Sequence, residues 1–304
     1  MNQRILITGG SGLLALNWAH AVKNRCHVTL GLHKRQVVFP EAQIHQIDLE
    51  SIGALVRSIE EVLPQQVIHM AGLTSVDRCE LEPQLAHHIN VTLAANVAKA
   101  CAITGVGLVH ISTDHLFSGQ DSLVDENQPI SPINVYGQTK AEAEYQVLDA
   151  NPDALVIRTN FYGWGTSYRK SFSDVVINAL RIGSNLTLFQ DVYYTPILVE
   201  TLALAVHDLI GLKANGIFNV VGDERISKKD FGLKVAEEFG LEFSSVKTGL
   251  FAAQTKLIQR PLDMSLSNHK ACNLLGRRLG KTKEHLFKLH EQEINGLKKQ
   301  VSML

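Results

Sequence analysis

The stretch Arg4-Ile5-Leu6-Ile7-Thr8-Gly9-Gly10-Ser11-Gly12-Leu13-Leu14-Ala15-Leu16-Asn17-Trp18-Ala19 joins an apolar run, a glycine turn and a helical run. Arg4 to Thr8 reads as a short buried strand. Gly9 and Gly12 let the backbone turn tightly and come close to a pyrophosphate, with Ser11 between them. The free amides of Leu13 and Leu14, at the positive end of a helix, favour that charge. Ala15 takes the third small position, which gives the spacing G-x-x-G-x-x-A, distinct from G-x-G-x-x-G. A glycine turn is also an ordinary exit from a strand.

Five further apolar runs follow: His27 to Leu32, Ile44 to Ile47, Val67 to Gly72, Leu108 to Ile111 and Ala154 to Ile157. Six strands alternating with helical runs predict an α/β fold with a doubly wound parallel sheet. Ligands bind such sheets outside the carboxyl ends of the strands. The second strand ends in His33, Lys34 and Arg35, where an acid would hold the ribose of NAD, and no acid occurs from Leu13 to Pro40. That basic run suits a 2′-phosphate and favours NADP(H), with NAD(H) possible; the alternative is a solvated basic turn. Asp48 and Leu49 end the third strand near an expected adenine edge, although Asp48 equally suits a cap for the helix beginning at Ser51. Ala71 and Gly72 allow close backbone approach, and Thr74, Ser75 and Asp77 add polar groups.

The fifth strand delivers Ser112, Thr113 and Asp114 at its carboxyl end. After Pro129 and Pro132, Tyr136 and Lys140 lie one helical turn apart on one face. A Lys beside a Tyr favours the phenolate, so Lys140 is expected to lower the Tyr136 pKa from about 10. A lone Tyr-x-x-x-Lys is unspecific.

After Asn160 the aromatic, glycine-rich run Phe161-Tyr162-Gly163-Trp164-Gly165 begins a region of different composition. The predicted organisation is a dinucleotide-binding domain over 1–160, with 195–225 returning to it, and a smaller substrate lobe from 161–194 and 226–304. A helix over Ser171 to Ile182 and a strand over Leu186 to Phe189 are expected in the lobe. The tail from Thr282 to Lys299 is amphipathic, with Leu286, Leu289 and Ile294 as core.

With 304 residues, 45% hydrophobic, the chain is long enough for a large core. A net charge of -1 does not call for a nucleic-acid polymer, and no long apolar run suggests a membrane span. Met1-Asn2-Gln3-Arg4 runs straight into a strand without a secretory signal pattern, so a cytoplasmic protein is expected. Cys26, Cys79, Cys101 and Cys272 are scattered and read as free thiols, and no His or Cys spacing calls for a metal.

Thr8-Gly9-Gly10-Ser11-Gly12, Ala71-Gly72, Asn90, Ser112-Thr113-Asp114, Asp125-Glu126, Tyr136-Gly137-Gln138-Thr139-Lys140 and Arg260-Pro261 occur in the order seen in extended short-chain dehydrogenases/reductases. Within them the chain most resembles the dTDP-4-dehydrorhamnose reductase group, from Ile5 to Ser265. The resemblance implies Thr113, Tyr136 and Lys140 as catalytic residues with Asn90 as accessory, hydride transfer to a nucleotide-linked sugar, and a homodimer. Thr74, Asp114, His115, Asn160, Trp164 and Arg260 are the expected substrate contacts. His115 stands where the group often has tyrosine, and Asn160 to Trp164 departs from its common version, so substrate identity is left open. Related folds include sugar-nucleotide epimerases and a non-catalytic regulatory subunit, the methionine adenosyltransferase beta subunit. Related dehydratases carry Asp-Glu after the catalytic Thr, whereas Thr113-Asp114-His115 has no Glu.

Overall fold

The computed structural model describes residues 3–254 and 257–304, so Met1 and Asn2 lie outside the described residues. Its frame is a parallel sheet of seven strands: β1 (Gln3–Thr8), β2 (Cys26–Leu32), β3 (Gln43–Gln46), β4 (Gln66–His69), β5 (Gly107–Ile111), β6 (Leu155–Arg158) and β7 (Gly216–Asn219). Their order across the sheet is β7-β6-β5-β4-β1-β2-β3. The order reverses between β1 and β4, where two successive connections leave in opposite directions and a crevice opens at the carboxyl ends.

Strand side chains alternate between two faces. Leu6, Val67, Leu108 and Val156 pack on one side, and Ile5, Ile7, Ile68, Val109 and Ile157 on the other, in separate apolar clusters. The first cluster is covered by α2 (Ile52–Val62), α3 (Leu93–Thr104) and α4 (Val135–Ala150), the second by α1 (Leu13–Val22) and, later in the chain, Val199–Gly211. Burial on both faces explains the near-continuous apolar runs read in the sequence. Truncating one of these side chains to Ala costs about 2–5 kcal/mol.

A π turn over His88–Thr92 precedes α3, and Asn90 sits inside it. The tail differs from the expected single amphipathic run. It breaks between Thr282–Ile294 and Leu297–Ser302 because Gly296 takes φ +88°, a left-handed conformation that ends the helix. Leu286 and Leu289 are fully buried as expected, but Ile294 is 74% exposed at that break and is not core. No helix among the described residues is long and apolar enough to cross a membrane.

Candidate active site

At the reversal of strand order lies a cavity of about 750 Å³, reaching from the glycine turn to the carboxyl end of β5 and the start of α4. The side chain of Asn134 caps α4 by accepting the Gly137 amide at 2.8 Å. That cap fixes the first turn, so Tyr136 and Lys140 present side chains to the cavity together with Thr113 from the end of β5. The Tyr136 phenol lies near Thr113, which opposes the rise in its pKa, and the His115 ring meets its ring edge-on at 5.4 Å.

The expectation that Lys140 lowers the Tyr136 pKa is corrected here. Burial pushes the phenol up to about 12, Thr113 opposing the shift, and Lys140 has no part in it. The Lys140 ammonium is directed at the sheet instead, donating to the Ile111 carbonyl at 2.8 Å and to His110 at 3.2 Å. Burial lowers Lys140 to about 8, with Glu144 opposing. Tyr136 therefore carries its proton across the neutral range, as a proton donor requires.

Asn90 lines the cavity and ties two elements together. Its amide donates to the Leu73 carbonyl at 3.1 Å and to Thr139 at 3.0 Å, and its oxygen accepts the Leu73 amide at 2.7 Å. The π turn places this side chain between the loop after β4 and α4.

On the cofactor side, Gly12, Leu13, Leu14, Arg35, Ala71 and Gly72 line the cavity. Gly9 has φ +70°, and a Cβ there would meet the Ala71 amide at 2.8 Å. Gly12 is the N-cap of α1, and no side chain caps that end. A dinucleotide pyrophosphate fits this cradle, because backbone can approach it and uncapped amides point at it. Gly9 and Ser11 form the turn without lining the cavity. His33, Lys34, Asp48 and Leu49 also stay outside it. His33 and Asp48 border a separate pocket of about 350 Å³. Asp48 accepts the Glu50 amide at 2.9 Å, while Ser51, not Asp48, caps α2. Leu49 is buried in the apolar cluster.

On the expected substrate side, Thr74, Asp114, His115 and Asn160 line the cavity, as do Arg169 and Lys170. Asp114 is buried and accepts from both Thr113, at 3.2 Å, and Asn160. Two expectations fail. Trp164 is fully buried with its ring edge-on to Phe239 at 6.4 Å, outside the cavity lining. Arg260 is held by Asp77 at 3.0 Å outside the cavity lining.

Residues 3–294 match the model of the RmlD substrate binding domain family. The chain belongs to this family. Its members are of the extended short-chain dehydrogenase/reductase type, NAD(P)-dependent oxidoreductases. Among its relatives, the probable low-salt glycan biosynthesis reductase Agl14 of Haloferax volcanii is 29% identical, covering 84% of this chain and 86% of that one. The methionine adenosyltransferase 2 subunit beta of Mus musculus is 28% identical over 81% of this chain and 75% of its own. A solved dTDP-4-dehydrorhamnose reductase from Bacillus anthracis in complex with NADP superposes with a TM-score of 0.84 at 24% identity, covering 96% of this chain and 100% of that one. Family membership accounts for the sheet order and the crevice, and the side chains described above are this chain's own.

Two features beside the site have no signal in the sequence. Arg158 of β6 donates to Glu144 of α4 at 2.7, 3.0 and 3.1 Å with both buried, and Ser112 adds a further bond to the carboxylate at 2.5 Å. Lys228 places its ammonium 3.3 Å from the Tyr194 ring centroid and 4.5 Å from that of Phe172. Both pairings join residues far apart in the chain, so no local spacing announces them.

Proposed function

We propose that the chain is an NADPH-dependent reductase of the ketone in a nucleotide-linked 4-keto-6-deoxy sugar. The observation that carries this reading is the convergence of Thr113, Tyr136 and Lys140 on a cavity that continues to the glycine turn. A reduced nicotinamide, when bound, supplies the hydride. Tyr136 donates its phenolic proton to the ketone oxygen as negative charge develops there. Thr113, turning its one O–H from Asp114 to the substrate, donates to the same oxygen. Lys140 holds the nicotinamide ribose with the N–H that the sheet leaves free. Gly12 and the amides of Leu13 and Leu14 hold the pyrophosphate above the turn that Gly9 and Ser11 form, and Arg35 holds a 2′-phosphate. Arg169 and Lys170 meet the diphosphate of the substrate.

The names of relatives support the same reading: a glycan biosynthesis reductase in one case, and a dTDP-4-dehydrorhamnose reductase bound to NADP in another. The test is NADPH oxidation with a panel of keto sugars, free and nucleotide-linked. Turnover confined to nucleotide-linked ketones is expected, and equal rates on free sugars would remove the nucleotide from the reading. The murine beta subunit favours a second reading, a non-catalytic NADP-binding regulatory subunit. Tight NADPH binding with no ketone reduced would select it.

A further inference from the structure

His110 lies in β5 with its ring buried, and its Nε2 is 3.2 Å from the Lys140 ammonium. An ammonium has three N–H donors and no acceptor. One N–H goes to the Ile111 carbonyl and a second to His110, which leaves one, and Lys140 lines the cavity. His110 can accept that bond only through a lone pair on Nε2, which puts its proton on Nδ1 and keeps the ring neutral. Burial first, then Lys140, holds His110 well below the usual imidazole range.

Behind His110 the ring of His69, its register partner on β4, stacks at 5.4 Å with 21° between the planes. Burial lowers His69 to about 3, so it too is neutral. Its Nδ1 is 2.7 Å from the Thr8 hydroxyl, at the last residue of β1 before the glycine turn. A layer of two uncharged imidazoles thus connects Lys140 to the strand that carries the cofactor cradle.

We infer that His110 is a positioning residue for Lys140: with the Ile111 carbonyl it occupies two N–H groups, so that the third is aimed into the cavity. This rests on the cofactor-holding role of Lys140 proposed above. The groups facing the ammonium are His110 on β5, His69 behind it on β4, and Glu144 one turn later on α4. Glu144 is itself held by Arg158 and Ser112. Burial disfavours the ammonium and Glu144 favours it. Removing the His110 acceptor leaves a buried N–H unpaired, which costs the charged form further.

The test is direct titration of NADPH between pH 6 and 9 into wild type, His110→Gln, His110→Met and Lys140→Met, read by nucleotide fluorescence. Affinity in wild type is expected to weaken above about pH 8 as Lys140 loses its proton. His110→Met is expected to bind NADPH about tenfold more weakly at pH 7.5, with its alkaline limb moved to lower pH. His110→Gln, whose amide oxygen reaches the place of Nε2, should stay within about threefold of wild type with an unmoved limb. Wild-type affinity and pH dependence in His110→Met, or a Gln variant as impaired as Met, would overturn the inference. If the Met variant does not fold, a shifted limb in His110→Gln overturns it and an unshifted limb supports it. None of these readings needs a ketone to turn over, so a negative substrate panel leaves them intact. Unchanged NADPH binding in Lys140→Met would instead sink the role of Lys140 itself, and the inference with it.

Discussion

The Arg35 guanidinium sits 3.5 Å from the ring centroid of Tyr168, and the Tyr168 hydroxyl donates to the Ser11 carbonyl in the glycine turn. The basic end of β2 is thereby fastened to the cofactor cradle by a side chain from the lobe. Of the three basic residues there, Arg35 alone lines the cavity. Arg35→Asp is expected to weaken NADPH binding by tenfold or more while sparing NADH, since a charge-assisted hydrogen bond contributes about 1.5–3 kcal/mol. Lys34→Ala should stay within about twofold. Parallel titrations of both nucleotides check this, and equal or tighter NADH binding by wild type would contradict it.

Tyr136→Phe removes only the proton donor. Turnover is expected to fall by about 10² to 10⁴ while NADPH affinity remains within about twofold. Retention of more than about a tenth of the activity would assign the proton to another group. Steady-state rates and a binding titration on the same preparation give both quantities.

The pH profile follows from two opposite shifts. Tyr136, raised to about 12, stays protonated throughout the working range, whereas Lys140, lowered to about 8, loses its charge just above neutrality. In the proposed mechanism the protonated Lys140 is the form that holds the ribose. So kcat/KM should be level below pH 7 and fall through about pH 8 as one proton is lost. A profile level to pH 9.5 would contradict the assignment.

The buried pair Arg158 and Glu144 makes a stability prediction. Arg158→Met strands a carboxylate that retains only Ser112 among these partners, at a cost of about 3–5 kcal/mol. Replacing both, Arg158→Met with Glu144→Leu, should recover part of that loss, because no charge is then left unpaired. Denaturant unfolding of the single and double variants measures it, and a double variant less stable than Arg158→Met alone would contradict it.

The glycine turn and the pair Tyr136 and Lys140 were legible because each rests on local spacing: a strand, a turn and a helix start in one case, one helical turn in the other. The strand runs were legible because a parallel sheet buries both faces. What was not legible depends on direction or on distant partners. Trp164 belongs to an aromatic run suited to a sugar, yet nothing local says that its ring points into the core. Arg260 reads as a substrate contact, yet Asp77, 183 residues earlier in the chain, accepts from its guanidinium. Lys140 was expected to serve Tyr136, but its partners come from β5, some thirty residues upstream. Only the folded chain shows how its three N–H groups are divided.

Hydride transfer to a sugar ketone is tested most directly by isotope. NADPH carrying deuterium at the reactive carbon of the nicotinamide is incubated with the enzyme and a nucleotide-linked 4-keto-6-deoxy sugar, and the product is read by mass spectrometry and NMR. One deuterium on the former ketone carbon in wild type, and almost none with Tyr136→Phe over the same time, is the predicted result. An unlabelled sugar recovered from wild type that binds NADPH tightly would contradict the reductase and leave the regulatory subunit.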